Sequence, residues 1–342
     1  MSVLPLKYGP HDARAVTRHL AYASFVSVPH KLLFVETPKV CSSTMKWLLA
    51  ELAGTEVPLQ IAERETHLTA CIHDRTIHSL PALTDLPPDL VDEVLTSPDY
   101  IRVCAVRNPY ARLVSAWSDK IRLVEPGFEQ NCQAALRHAR RNDGRKAPSF
   151  REFARWVVET NDPARCDAHW RRQTSLIFPD LIDYNFVIRT ESFGADVQRL
   201  LAAVAPELGD RAAAMIEQNT CNISLPVRWS ETYDEALAAE VADFYDTGFA
   251  TFGYSTESWK ELVAKPDPAP ADFEVAALDV IRERNAVIRE WNRRAPIYPA
   301  PPPNWSATSL LKAAARWLMR YFSSAASSAK VLVRSVGTNT GS

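Results

Sequence analysis

Apolar residues along this chain gather into short unbroken runs, and between them lie longer stretches with helical spacing. Leu32 to Val35 and Ile101 to Val106 are runs of strand length that read as buried strands. Tyr184 to Arg189 reads as a third strand. Pro38 closes the first run and biases Thr37 away from helix. From Thr44 onward good helix formers follow, with Gly54 as a stop. A short helix is expected over 91–96, after the break between Pro81 and Pro88. Ser149-Phe150-Arg151-Glu152 is a capping box that opens a helix burying Phe150, Phe153 and Val157. Residues 196–218 read as helical apart from a break at 206–209, and Leu237, Val241, Phe244 and Tyr245 mark a helix over 234–249.

The first strand, its loop and its helix carry chemistry. The sequence there runs Glu36-Thr37-Pro38-Lys39-Val40-Cys41-Ser42-Ser43-Thr44. The first N–H groups of a helix lack backbone partners, and the dipole adds partial positive charge at that end. Lys39 supplies a full charge, and Ser42, Ser43 and Thr44 supply hydroxyl donors, so the loop suits phosphate or sulfate. It is not a Walker A loop, which needs glycines and a Lys directly before Ser/Thr. Taken alone, it fits equally well an ordinary turn with a surface lysine. The second strand runs into Arg107-Asn108-Pro109-Tyr110-Ala111-Arg112-Leu113-Val114-Ser115-Ala116. Arg107 stands at a strand end, where open α/β sheets bind ligands, and a guanidinium suits bidentate phosphate contact. Pro109 fixes the entry to the next helix.

Composition narrows the classes. Hydrophobic residues make up 46% and charged residues 23%, as in a soluble globular protein with a large core. A net charge of −2 leaves no whole-protein footprint for nucleic acid. Residues 1–24 are polar, with no long apolar stretch of a leader, and no run reaches the length of a spanning helix. The expectation is a cytoplasmic protein. Six scattered cysteines form no CxxC and no metal cluster. Cys104 reads as a core residue, and Cys41 as a loop residue contributing chiefly its backbone N–H.

Together the two stretches resemble the paired motifs with which sulfotransferases hold 3′-phosphoadenosine 5′-phosphosulfate (PAPS). They are similar to the branch that includes the chondroitin 4-O- and HNK-1 carbohydrate sulfotransferases, over roughly residues 30–255. There a Pro-Lys-Val-x-x-Thr loop grips the 5′-phosphosulfate, and an Arg-x-Pro-x-x-Arg-Leu-x-Ser-Ala segment grips the 3′-phosphate. Asn108, where many members carry an acidic residue, departs from the pattern. The resemblance implies a three-layer α/β fold of the P-loop-like sulfotransferase type with a mainly parallel sheet. It implies PAPS as co-substrate, no metal, and a carbohydrate hydroxyl as acceptor. Lys39 would stabilise transition-state charge. Lys39, Val40, Cys41, Ser42, Ser43 and Thr44 would hold the 5′ end, and Arg107 with Ser115 the 3′-phosphate. A neutral imidazole suits the removal of the acceptor proton near pH 7. His78, followed by spaced leucines, fits the family's base; His73, His67, Glu36, Glu63 and Glu65 are alternatives. His169, in a His-Trp pair also found in the family, is expected to line the pocket or serve structure. Arg189, at the end of the third strand, is a candidate to face the co-substrate.

The chain thus divides into an N-terminal extension (1–24), a sulfotransferase domain (25–260) and a C-terminal helical extension (261–342). The last holds a charged helix at 273–291, a Pro-rich linker at 296–303 and a basic amphipathic helix at 310–322. That helix suits either packing on its own fold or peripheral contact with an anionic membrane surface. The basic run from Arg137 to Lys146 reads as a solvated charge run, or as a loop that steers an acidic saccharide. Two other readings remain open. A kinase or NTPase would use the same strand–loop–helix, but lacks here its glycine loop and an evident Mg²⁺-holding carboxylate. A non-catalytic glycan- or nucleotide-binding protein would keep the fold without turnover.

Overall fold

The computed structural model describes residues 11–54, 80–209 and 226–266, with a few isolated positions outside them. His67, His73, His78, Glu63 and Glu65 lie outside the described residues, as do 296–303, 310–322 and nearly all of 273–291. The chain divides into units at 1–287 and 288–342, and the described residues belong to the first.

Four strands form one open sheet in the order β1 (Ser24–Ser27), β2 (Leu32–Val35), β3 (Ile101–Val106) and β4 (Phe186–Arg189). β1 runs antiparallel to β2, while β2, β3 and β4 are parallel. The mainly parallel sheet expected from the sequence is therefore present. Alternation along the strands feeds two cores. Leu32, Phe34, Val103, Ala105 and Ile188 face one layer, with Met45, Leu48 and Leu49 of α2 (Ser42–Leu52) and Val197, Leu200 and Leu201 of α8 (Phe193–Val204). Leu33, Val35, Cys104 and Val106 face the other, with Val16 and Leu20 of α1 (Ala13–Ala23) and Val91 and Val94 of α3 (Pro88–Thr96). Both faces are covered, which is why the central strands read as continuous apolar runs.

A third core lies beside the sheet. It joins α4 (Pro109–Ala116), α5 (Glu129–His138), α6 (Phe150–Thr160) and α9 (Glu235–Phe244) through Tyr110, Phe153, Trp170, Tyr233 and Val241. The Ser149 capping box forms as the sequence predicts, with Glu152 at its third position. Glu152 also receives Arg141 and Arg145, so the basic run is tied back to α6 at its centre. Between α6 and β4 lies the short α7 (Thr174–Ile177). After α9 come α10 (Asp246–Phe252) and α11 (Trp259–Val263). None of the described helices is long and apolar enough to cross a membrane.

Two elements have no apolar run to announce them. α1 is capped by Asp12, whose Oδ1 accepts the Arg14 N–H at 2.9 Å, and it buries only a narrow stripe. β1 is Ser-Phe-Val-Ser, two apolar residues between hydroxyls. It forms because β2 offers it an edge, and Ser24 spends its Oγ on the Leu20 carbonyl and the Leu83 N–H.

His19 of α1 packs edge-on against the Phe178 ring, 5.6 Å between centroids, and its buried Nε2 has no hydrogen-bond partner among the described residues. Burial drives its pKa down to about 4, Arg171 adds to the effect, and a hydrogen bond to the Leu176 backbone opposes it. The unfolded chain protonates this ring near 6.5 and the folded chain does not. The contribution is therefore whole above that pH and is lost as pH falls toward 4. We expect wild type to lose about 2–3 kcal/mol of stability relative to His19→Leu from pH 7 to pH 4, read by urea unfolding. A difference that stays constant with pH would contradict this.

Candidate active site

Parallel register aligns the carboxyl ends of three strands: Val35 pairs with Cys104, and Val106 with Arg189. The loops after β2, β3 and β4 therefore leave the sheet at one edge. That edge is where an α/β sheet of this kind binds ligands.

The loop after β2 turns without glycine. Lys39 and Cys41 both adopt left-handed backbone, with φ of 72° and 62°. Such a conformation costs a non-glycine residue about 1–2 kcal/mol, and strain of this kind collects at functional loops. Val40, fully buried in the α2 core, anchors the turn. Cys41 is the N-cap of α2 and makes no side-chain cap, so its role there is through the backbone. Although Cys41 reaches the surface, desolvation of its sulfur holds the thiol above its ordinary pKa against the pull of Arg107 and Lys39. It is not an activated thiolate. α2 begins at Ser42, two residues before the Thr44 start expected from the sequence, so Ser42, Ser43 and Thr44 form its first turn.

Lys39 is the charged centre of the site. Its Nζ lies 2.7 Å from Asp119 Oδ2, and both side chains are nearly buried. Lys120 Nζ approaches the same oxygen at 3.2 Å and reaches Glu125 at 2.6 Å. Desolvation pushes the Lys39 pKa below the ordinary lysine value; Asp119 opposes the shift, while Lys120 and Arg107 add to it. Asp119 comes from a π-helical segment, Trp117–Ile121, that continues α4, with Arg122 N–H bonded to the Trp117 carbonyl at 2.8 Å.

Arg107 follows β3, and its Nη1 donates to the Lys39 carbonyl at 3.3 Å. The two motifs thus come together, the Arg107 guanidinium on the Lys39 backbone. The Gln173 amide clasps the Arg107 backbone twice, accepting its N–H at 2.9 Å and donating to its carbonyl at 2.8 Å. Asn108, the departure from the family pattern, works as a helix cap: its Oδ1 accepts the Tyr110 and Ala111 N–H groups, and its Nδ2 donates to Ser258. Glu191 accepts the Asn108 N–H at 2.8 Å and the Tyr254 hydroxyl at 3.0 Å. Ser115 lies two turns into α4, mostly buried, and its hydroxyl makes no hydrogen bond among the described residues.

Arg112 was part of the second motif without a role of its own. Only 2% of it is exposed, and its guanidinium donates to three backbone carbonyls: Pro38 at 3.0 Å, Arg171 at 2.7 Å and Ala168 at 2.8 Å. Burial lowers its pKa to about 10, so it stays a cation at neutral pH.

Arg189, at the end of β4, has internal partners. Its Nη2 donates to the Phe252 carbonyl at 2.8 Å and its guanidinium stacks over the Tyr254 ring. Glu36, one of the carboxylates considered as a base, is buried against Lys46 at 2.6 Å. His169 lies in the turn before α7, with its Nδ1 2.7 Å from Asp167 Oδ1. The residues the motif reading passed over, Asp119, Gln173, Glu191 and Asp167, act as second partners to motif residues. Their signal in a single sequence is no more than a polar residue near an element end.

Fold and site define an α/β protein whose motif residues gather at the carboxyl edge of a parallel sheet. A profile described as "Sulfotransferase family" matches residues 22–255, and the chain belongs to that family. The chain is similar to carbohydrate sulfotransferase 8 from Homo sapiens, 29% identical over 257 residues, covering 71% of this chain and 58% of the relative. The Mus musculus protein of the same name is 30% identical over 260 residues, with the same coverage. Carbohydrate sulfotransferase 10 from Xenopus laevis is 29% identical over 204 residues, covering 55% of this chain and 54% of the relative. The chain spans a little over half the length of these curated relatives. No solved structure gives a significant match.

Replacing Arg112 by Met should cost about 3–5 kcal/mol in urea unfolding, because three buried carbonyls lose their donor at once. Arg112→Lys should recover only part of the loss, since one ammonium lacks the planar fork that reaches all three. A cost below about 1 kcal/mol would show that the guanidinium does not hold the loop.

Proposed function

We propose that this protein transfers a sulfuryl group from PAPS to a hydroxyl of a carbohydrate acceptor. The observation that carries the reading is the meeting of Lys39 and Arg107 at the carboxyl edge of the sheet. A phosphosulfate at the N-terminus of α2 would find the helix dipole, the hydroxyls of Ser42, Ser43 and Thr44, and the Lys39 ammonium. A second phosphate would find the Arg107 guanidinium and the open Ser115 hydroxyl. Family membership and relatives named as carbohydrate sulfotransferases support the donor and the acceptor class.

In this reading Lys39 stabilises the charge that develops on the leaving phosphosulfate oxygens. Arg107 and Ser115 hold the adenosine end by its 3′-phosphate. The kinase-like reading is weaker. The loop turns on left-handed Lys39 and Cys41 rather than on glycines, and its lysine precedes the helix rather than capping it.

The test is calorimetric titration with adenosine 3′,5′-bisphosphate and with adenosine 5′-monophosphate. Wild type should bind the bisphosphate at least tenfold more tightly. Arg107→Ala should erase that preference, a loss of about 10–100-fold, as expected for one charged hydrogen-bonded contact of about 1.5–3 kcal/mol. Equal binding of the two nucleotides by wild type, or no binding, would overturn the reading.

A further inference from the structure

The sulfotransfer reading asks Lys39 to hold a phosphosulfate, yet its ammonium already has a partner. Nζ lies 2.7 Å from Asp119 Oδ2, and both side chains are nearly buried. The same oxygen lies 3.2 Å from Lys120 Nζ, so one carboxylate atom stands between two ammoniums. Lys120 is itself fixed: Glu125 Oε1 accepts from it at 2.6 Å, and it stands 5.7 Å over the Phe128 ring. Asp119 and Lys120 are consecutive in the π-helical turn Trp117–Ile121, and turns of this kind collect at functional sites.

The backbone of Lys39 is held independently of its side chain. The Lys39 carbonyl accepts from Arg107 Nη1 at 3.3 Å, the Pro38 carbonyl accepts from Arg112 Nε at 3.0 Å, and Val40 is buried beside them. The ammonium can therefore change partner while the loop stays in place. Among the described residues, the charged and titratable groups around it are Asp119 and Lys120 from the π-helical turn, Arg107 from the end of β3, Cys41 from its own loop and His169 from the turn before α7. Desolvation pushes the Lys39 pKa down, Lys120 and Arg107 add to the fall, and Asp119 opposes it. A buried ammonium near two other cations needs a counter-charge, and Asp119 supplies it. A bound phosphosulfate would supply it instead.

We propose that Asp119 is a latch on Lys39: it holds the ammonium before the donor arrives, releases it to the donor's phosphosulfate, and stays on Lys120 as it does so. The inference rests on the sulfotransfer reading and adds a control of donor affinity to its 5′ end. Asp119 is a positioning residue, since it acts through Lys39 and not on the donor. The exchange needs little movement, because Oδ2 already meets both ammoniums. Asp119 thus opposes donor binding, and Lys120 favours it by keeping the released carboxylate paired. Both effects pass through Lys39, which separates them from a general change of charge around the site.

Calorimetry with adenosine 3′,5′-bisphosphate tests this in wild type and in Lys39→Met, each with Asp119→Asn or Lys120→Gln added. At about pH 6, Asp119→Asn alone should tighten binding about fivefold or more, a share of one charged hydrogen bond. Lys120→Gln alone should weaken binding about fivefold, because Asp119 then has only Lys39 to hold. In Lys39→Met, either change should shift affinity by no more than about twofold. A bound anion favours protonated Lys39, so affinity declines as pH rises through the Lys39 pKa of the free protein. Asp119→Asn removes the carboxylate that raises that pKa, so its decline should begin at lower pH than in wild type. Three results would each overturn the latch: an Asp119→Asn protein that binds no more tightly than wild type, shifts that persist in Lys39→Met, or a decline that Asp119→Asn leaves in place. If Asp119→Asn does not fold, the Lys120→Gln comparison decides alone. A wild type that binds the bisphosphate no better than adenosine 5′-monophosphate fails the sulfotransfer reading itself. A wild type that shows that preference without the Lys39-dependent shifts fails the latch alone.

Discussion

The site depends on one buried cation that no carboxylate among the described residues neutralises by direct contact. Arg112 is satisfied by backbone oxygens alone: Pro38 from the anion loop, and Ala168 and Arg171 from the turn before α7. A guanidinium has five donors in a fixed plane, so the three carbonyls it meets cannot shift independently. Burying such a charge is costly, and the cost is offset only while every partner stays in place. The loop, the turn and α4 are thereby held as one piece. The strained backbone at Lys39 and Cys41 persists because the surroundings over-determine it: Val40 is locked in the core below, and the Pro38 carbonyl is held from the side.

Around that frame the electrostatics are arranged in pairs. Lys39 is held by Asp119, Asp119 is shared with Lys120, and Lys120 is held by Glu125. Under the proposed function, an anion arriving at Lys39 would compete with Asp119 for the same ammonium. Because Lys120 already supports Asp119, the carboxylate is not left without a counter-charge as that competition proceeds. On the far side of the loop, Arg107 is fixed through its backbone by Gln173. Its guanidinium therefore spends little of its hydrogen-bonding capacity on being positioned.

Much of this could be read from the sequence, and what could not has a physical reason. β2 and β3 were legible because both sheet faces are covered, which makes the strands continuously apolar. The Ser149 cap was legible because a capping box is local. β1 and α1 were hidden: β1 is set by the edge that β2 offers, and α1 by a narrow stripe of contacts, both long-range facts. Lys39 and Arg107 stood out as charges in anion-binding loops. Asp119, Gln173 and Asp167 did not, because each acts on a residue distant in sequence or through its backbone. Arg189 stands at its strand end as read, and its guanidinium also meets the closing segment at Phe252 and Tyr254.

The π-helical turn at Trp117–Ile121 has a consequence for how this region is compared with others. A regular helix advances each side chain by about 100° per residue, so one added residue changes the phase of everything that follows. From Pro109 to Ala116 the spacing follows the ordinary helical period. Beyond it, Asp119 and Lys120 occupy bearings that an unbroken helix would give to their neighbours. An alignment that carries the regular phase through this turn would match Asp119 to a side chain pointing elsewhere. Counting residues locates the second motif correctly, but the counter-ion of Lys39 is found only once the slip in phase is included.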